Sequence, residues 1–393
     1  MVLSRRRTPG YRVAQAVRER GAASRAELAR HLDLSPATVG RVVDRLLAAG
    51  ILLEVGPGPA TGSGRPSTLV QFNPEVGAVL TVDLRGTNAH AAITDFSGCV
   101  LTRLERPLTP GDTERSLGEL AGLVRDLRAI PRSGPEVTCV VVGAPSIVDP
   151  ETGVVEWAPS LGWRAVCLGQ LLGDRLSLPV IVENDVNLTA AGEYWKGAGR
   201  SVRQNLVFIS IGSGVGAGII LNGELYRGAT NAAGEVAYFI TDTEILRDNV
   251  GQIGSLENRI GRAGLLRLAQ LVAHRYPISE LSTMLNQAGD RLSTAPILAL
   301  AERGDPAAQV VYRELVSILT IVICNTFVVL DPEMIIVGGP DDWNWAGLVA
   351  AIQAQIGSAL LRPVPLVQSQ LGNDALILGG AYAALDCLNP LLD

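Results

Sequence analysis

Carboxylates and an asparagine stand at three separated points of the chain where small polar ligands are commonly held. Glu183-Asn184-Asp185 follows the apolar segment Val180-Ile181-Val182 and precedes a helical pattern. It therefore falls at the carboxyl end of an expected strand, a frequent ligand position in α/β sheets. Gly234-Glu235 and Glu257 come later in the chain. An ionised carboxylate accepts from two hydroxyls, so a set converging from different elements suits a polyhydroxylated ligand. The plainer alternative, that each residue caps a helix or lies on a solvated face, stays open at this point. A second chemistry-bearing group lies near the N-terminus. Ser35, Ala37, Thr38 and Arg41, with Arg45 one turn further, combine small residues, hydroxyls and guanidinium groups. Hydroxyls reach phosphate or a base edge, and an arginine spans two acceptors on guanine.

The elements that must present this second group are legible. Gly10 to Glu19 predicts a helix that buries Val13, Ala16 and Val17. Ser24 with Glu27 three residues on is a capping box opening a helix at Arg25, and Asp33-Leu34 breaks it. Ser35-Pro36 supplies an N-cap followed by proline at the first helical position. Val39, Val42, Val43, Leu46 and Leu47 then form one buried stripe, and Gly50 ends the helix. Two short helices joined by a tight turn make a helix-turn-helix, whose second helix enters the major groove by its N-terminal residues. Ile51–Val55 and Ser67–Phe72, on either side of a Gly/Pro-rich tip, read as two strands of a wing. Arg65 in Gly64-Arg65-Pro66 is positioned to enter a minor groove. Ser24, Arg25, Ser35, Ala37, Thr38, Arg41, Arg45 and Arg65 are the expected DNA contacts. The competing reading is a helical bundle used for protein contacts.

Charge distribution supports the DNA reading. Residues 1–66 hold 11 arginines and no lysine against five acidic residues, a local +6; the net charge of −6 then leaves −12 on the remaining chain. A basic head on an acidic body suits a polyanion at the head alone. Hydrophobic residues make up 47% of the sequence, yet charges, Gly or Pro interrupt every apolar run before the roughly 18 residues of a spanning helix. The first residues, Met1 to Arg7, lack a signal-peptide pattern. The five cysteines, Cys99, Cys139, Cys167, Cys324 and Cys387, are scattered without a CxxC pair. A cytoplasmic protein without a membrane partner is expected.

Beyond Asn73-Pro74 the pattern turns to strands. Val79–Leu84, the loop Arg85-Gly86-Thr87-Asn88, Ala89–Thr94, a Ser97-Gly98 turn and Val100–Glu105 form one unit. A similar unit returns as Leu206–Ile211, the loop Gly212-Ser213-Gly214-Val215-Gly216-Ala217-Gly218, a strand, an Asn222-Gly223 turn and another strand. This internal repeat is the pattern of a two-lobed actin-like α/β fold in which each lobe offers a hairpin to nucleotide phosphates. A dinucleotide-binding fingerprint is excluded, because Ile219-Ile220-Leu221 continues as a strand where that motif requires a helix.

From Ser24-Arg25-Ala26-Glu27-Leu28-Ala29 to Leu378-Gly379-Gly380-Ala381 the sequence resembles the ROK family, which groups sugar-responsive bacterial repressors with sugar kinases. The GxGxGxG loop after Ile211, the Asn222-Gly223 segment and Gly234-Glu235 carry the resemblance most specifically. The winged head and Gly64-Arg65-Pro66 look like those of the xylose-repressor-like branch. The resemblance implies a winged helix-turn-helix over residues 1–73 and a ribonuclease H-like, sugar-kinase-type body over 74–393. Its small lobe would cover about 74–190 plus the C-terminal helix, and its large lobe about 191–378. It further implies that Asn184, Asp185, Glu235 and Glu257 meet the sugar and that Asp185 is the catalytic base if the chain is a kinase; Tyr238 is a further candidate sugar contact, and whether it offers its hydroxyl to the ligand or simply packs stays open at this point. Asp83, Gly86, Thr87, Gly212, Gly214, Gly338 and Gly339 take the place of the nucleotide loops.

Three departures bear on chemistry. Arg85 replaces a glycine of the usual Asp-x-Gly-Gly-Thr loop, which compromises the close backbone cradle for phosphate. Gly234-Glu235-Val236-Ala237-Tyr238 lacks the family's histidine, and residues 248–257 lack its cysteines, so no structural zinc or other cofactor is expected. Ser160 also stands where asparagine is usual. The leading reading is a repressor that forms a homodimer or tetramer, binds duplex operator DNA and responds to a sugar. The alternatives are an ATP-dependent sugar kinase with a DNA-binding appendage, and a DNA-binding protein whose body only dimerises.

Overall fold

A computed structural model describes residues 8–58, 67–145, 147–241, 254–288, 293–357, 360, 362–388 and 392. Three helices open the chain: α1 (Pro9–Arg20), α2 (Arg25–Leu32) and α3 (Pro36–Ala48). Each start carries its own cap. The Thr8 hydroxyl accepts from the Tyr11 amide, Ser24 and Glu27 close a reciprocal capping box, and Ser35 accepts from the Thr38 amide. Asp33 ends α2 at a left-handed φ of 51°, and Gly50 follows α3 at 71°. Strands β1 (Ala23–Ser24), β2 (Leu52–Pro57) and β3 (Thr68–Phe72) form the wing sheet in the order β1-β3-β2. The two-residue β1 has no pattern of its own in the sequence; its pairing with β3 creates it.

The chain divides into two compact units, residues 1–188 with 376–393, and residues 189–375. In the first, β4 (Ala78–Arg85), β5 (Asn88–Asp95), β6 (Val100–Pro107), β7 (Val137–Ala144) and β11 (Val180–Asn184) form a sheet ordered β11-β7-β4-β5-β6. Helix α4 (Thr113–Ala129), the small sheet β8 (Ile147–Asp149), β9 (Val154–Ala158) and β10 (Trp163–Val166), and α5 (Leu168–Leu176) lie between β6 and β11 in sequence. Successive residues of a strand face opposite ways. Leu80, Val82, Val140 and Val142 therefore enter a core with α4 and α5. Val79, Cys139 and Val141 enter another with Val13, Val17, Val43 and Leu46 of the head and with Leu385 and Leu388. The winged head thus shares a continuous hydrophobic core with this sheet.

The second unit repeats the strand plan. Here β12 (Leu206–Ile211), β13 (Val215–Leu221), β14 (Glu224–Leu225), β15 (Met334–Gly338) and β16 (Leu366–Gln368) are ordered β14-β13-β12-β15-β16. In both sheets three antiparallel strands are followed by two parallel ones. Helix α6 (Asp185–Lys196) begins where β11 ends, and α13 (Asp374–Ala383) begins after β16. Between β14 and β15 come α7 (Ser255–Ile260), α8 (Arg262–Arg275), α9 (Glu280–Ala288), α10 (Ala295–Glu302) and α11 (Pro306–Leu330). Helix α12 (Trp345–Ile356) separates β15 from β16. By length and composition alone helix α11 is apolar enough to cross a membrane, with an 18-residue window of mean hydropathy 1.8, although Glu314 and Asp331 bound its uncharged run. Leu315, Leu319, Val322 and Ile323 of α11 are buried in the unit's core.

One buried cation ties the head to its sheet. Arg18 of α1 donates to the carbonyls of Phe96 (2.7 Å), Tyr382 (3.1 Å) and Ala381 (2.6 Å). Its guanidinium also lies under 6 Å from the ring centroids of Phe72, Phe96 and Tyr382. Burial lowers its pKa to about 10, so it stays cationic at neutral pH. Arg18→Ala leaves those carbonyls without their charged donor and is expected to destabilise the first unit by about 3 kcal/mol or more in urea unfolding. Arg18→Lys recovers only part of this loss, because a single ammonium does not match the planar fork. Equal stability of the alanine variant would refute the assignment.

Candidate functional site

The head presents fewer free DNA contacts than the sequence suggests. Ala37 and Arg41 are exposed on the N-terminal half of α3. The Ser35 and Thr38 hydroxyls lie 2.8 Å apart at the cap of α3. Ser24 is 4% exposed and engaged by Glu27, whose carboxyl the Ser24 hydrogen bonds hold below its ordinary range. Ser24 is a cap and is not open to DNA, since one hydroxyl serves both the N-cap and the box. Arg25 pairs with Asp44 at 2.8 Å and lies 3.7 Å from Glu54. Arg45 donates to the Leu392 carbonyl at 2.6 Å. Arg65 lies outside the described residues.

Also in the first unit, Asn184 ends β11 and Asp185 opens α6. Asn184 Oδ1 accepts from the Asn187 amide at 2.9 Å, and Asp185 Oδ1 from the Val186 amide at 2.8 Å. Both side chains thus sit at a helix N-terminus, where exposed amides and the dipole favour negative charge. Glu183 is buried and accepts from the Asn184 amide and from Asn187 Nδ2. Asn187 is a residue the sequence reading passed over. It is 4% exposed, and its Oδ1 has no protein donor among the described residues. Its place two residues beyond Asp185, one turn from Asn184, was the available signal.

The first hairpin loop is closed by its own arginine. Arg85 pairs with Asn88 across a two-residue turn at Gly86 and Thr87, and Gly86 takes a φ of 61°. A positive φ at the first turn residue is what such a hairpin requires. Arg85 Nε lies 2.5 Å from Asp83 Oδ2. Burial raises the Asp83 carboxyl, and the neighbouring guanidinium offsets only part of the rise. The residue that departs from the expected phosphate loop therefore neutralises the loop's own buried aspartate.

In the second unit, Glu235, Tyr238 and Glu257 come together beside the other hairpin loop. Glu257 stands in the first turn of α7 and accepts from the Val215 amide at 3.0 Å. A Cβ added at Gly214 would meet its Oε2 at 3.0 Å. Gly234 places Glu235. At a φ of 92° its amide plane docks on β13, with the Ala217 amide donating to its carbonyl at 2.8 Å, and a Cβ there would lie 1.9 Å from the Ala217 carbonyl. Burial raises the Glu235 carboxyl, and the charge of Glu257 raises it further. Burial also raises Glu257, against the pull of the Val215 amide. Tyr238 is raised by burial and by both glutamates. The three groups thus share one electrostatic environment, with half of Tyr238 still exposed.

Gly212 closes a tight turn by donating to the Gly214 carbonyl at 2.9 Å. Gly338 and Gly339 have packing roles. A Cβ at Gly339 would lie 1.8 Å from the Ile211 carbonyl, and one at Gly338 2.7 Å from Ser369. Among the described residues no group of three or more His, Cys, Asp or Glu side chains is placed to hold a metal ion. Residues 248–253, part of the segment where the sequence reading looked for a zinc loop, lie outside the described residues.

Comparison with known proteins gives this geometry its setting. The chain is 30% identical over 317 residues to a xylose repressor from Caldicellulosiruptor bescii, covering 80% of this chain and 78% of that one. A crystal structure of a ROK family transcriptional regulator, a homologue of the E. coli MLC protein, superposes with a TM-score of 0.80 at 26% identity, covering 97% and 96%. A ROK glucokinase from Streptomyces griseus, solved with glucose and AMPPNP, matches with a TM-score of 0.67 at 29% identity, but covers 78% of this chain and 98% of its own. The ROK family model spans residues 79–386, and with the winged head and the repeated sheet this places the chain in the ROK family.

Proposed function

We propose that the chain is a transcriptional repressor that binds operator DNA through its winged head and senses a sugar in its ROK body. The observation that carries the reading is the capped α3 with exposed Ala37 and Arg41, fused to a ROK body in one hydrophobic core. The likeness to a ROK transcriptional regulator covers 97% of this chain, and that to the glucokinase 78%. Operator recognition by a helix-turn-helix works through paired half-sites, so the functional species is a homodimer or a dimer of dimers. A partner of this kind places the protein in the cytoplasm. Relatives named xylose repressor make a pentose the first effector to try.

The residues to which we assign sugar contacts, each for its own hydrogen-bonding chemistry, are Asn184, Asp185, Glu235, Tyr238 and Glu257. Carboxylates accept from hydroxyls, and the Tyr238 hydroxyl both donates and accepts. Effector binding needs no phosphoryl transfer, and the Arg85–Asp83 pair supports a body that senses without turning over ATP. The second reading, a sugar kinase, rests on Asp185 at the helix N-terminus and on the intact second glycine loop. It requires phosphate to approach a hairpin now filled by a guanidinium–carboxylate pair. A coupled ADP-release assay on common hexoses and pentoses decides between the two readings, since steady turnover would reverse this ranking.

Three outcomes are expected. Asp185→Asn keeps operator affinity within about twofold while weakening sugar-induced release about tenfold or more, on the scale of one lost charged hydrogen bond. An unchanged sugar response in an electrophoretic mobility titration removes Asp185 from the site. Arg41→Ala weakens operator binding by about 1–3 kcal/mol, the worth of a bidentate base contact. Unaltered affinity would remove Arg41 from the interface. The third outcome concerns pH. Carboxyls raised in the folded state contribute stability that is present below the ordinary carboxylate range and lost as pH rises through the raised value. Glu235→Gln is therefore expected to melt above the wild type at neutral pH, with the difference vanishing as the pH falls through the ordinary carboxylate range. A constant difference across that range would refute the burial assignment.

A further inference from the structure

The first turn of α6 contains a buried acceptor that the protein itself does not satisfy. Asn187 is 4% exposed, and its Oδ1 has no hydrogen-bond donor among the described residues. The orientation of its amide is fixed by chemistry. Nδ2 donates to Glu183 Oε1 at 3.0 Å, and a rotated amide would set two acceptors against each other, since an ionised carboxylate only accepts. The same Oε1 accepts from the Asn184 amide at 2.9 Å, which anchors Glu183 at the end of β11. The backbone of Asn187 is held too, its amide donating to Asn184 Oδ1 at 2.9 Å. With backbone and Nδ2 both engaged, Oδ1 is turned away from Glu183 and cannot swing round to find a partner. It sits beside Asn184 and Asp185, which are half-buried where Asn187 is buried. A buried acceptor left bare carries the full cost of its desolvation, and folded proteins meet such groups with protein, ordered water or ligand.

We infer that Asn187 is a specificity-determining residue of the sugar site, its Oδ1 accepting from one hydroxyl of the bound sugar. The assignment rests on the sugar-sensing reading above. Asn187 adds a restriction that Asp185 does not supply. An ionised carboxylate has about four lone-pair sites and accommodates several hydroxyl arrangements, whereas a single carbonyl oxygen locked by its own amide takes a donor from a narrow range of directions. A sugar that lacks the hydroxyl at that position is rejected, because it shuts the acceptor off from water without supplying the missing proton.

Isothermal titration calorimetry of the full chain with D-xylose and D-glucose, and with the monodeoxy analogues of each, reads the contact. The wild type is expected to lose about tenfold or more in affinity at one deoxy position, the cost of one buried acceptor left bare. In Asn187→Ala the penalty at that position is expected to shrink to within about twofold, while penalties at the other positions stay as in the wild type. A crystal structure of the wild type with its bound sugar tests the same contact without a variant, and a sugar hydroxyl at about 2.7 Å from Oδ1 is expected. Equal deoxy penalties in wild type and variant, or an ordered water on Oδ1 in place of the sugar, overturn the assignment and leave the sugar reading intact. Failure of the wild type to bind either sugar overturns both.

Discussion

Burial of the Arg18 guanidinium is the constraint on which the first unit is organised. A cation taken out of water is tolerated only when its donors are fully engaged, and here backbone carbonyls from two separate segments engage them. Those segments are the turn after β5 and the end of α13, with the wing's Phe72 ring alongside. No part of this junction moves alone without leaving the charge partly unpaired. The head is therefore held to its sheet as a rigid extension, although a winged helix-turn-helix is often pictured as a separate bead on a linker. For a regulator this rigidity is useful, since a head free to swivel would not report the state of its body.

The body applies one strand plan twice and gives the two hairpins opposite chemistry. In the second unit the loop at Gly212-Ser213-Gly214 stays small, leaving room for Glu257 to reach the Val215 amide. In the first, the loop is a two-residue turn carrying Arg85, which folds back on Asp83. The buried Asp83 of that hairpin is thus paired within its own loop, with the adjacent Arg85 guanidinium as its cation. In the second unit burial raises both Glu235 and Glu257, and the charge of Glu257 raises Glu235 further.

Much of this was legible in the sequence, because local rules govern it. The capping box at Ser24 and Glu27, the Ser35-Pro36 start of α3 and the Gly50 stop each depend on a few adjacent residues. The repeat of strand, glycine loop and strand was visible for the same reason, and so was the placement of Glu183-Asn184-Asp185 at a strand end. Periodicity and cap chemistry are read within a turn or two of chain. Family resemblance then supplied which carboxylates to watch.

What the sequence could not hold was the partner of each polar group. Arg18, Arg25, Arg41 and Arg45 are the same residue type in one basic head. The tertiary structure buries the first, pairs the second with Asp44, leaves the third exposed and gives the fourth to Leu392. Gly10 looked like an ordinary helix residue until a carbonyl 382 positions away in sequence was found against it. The sequence by itself determined the capped helices of the head, the repeated strand–loop–strand units and the polar residues at the end of β11. Only the folded chain decided which charges are free, because burial and pairing are set by segments distant in sequence whose approach no local pattern encodes.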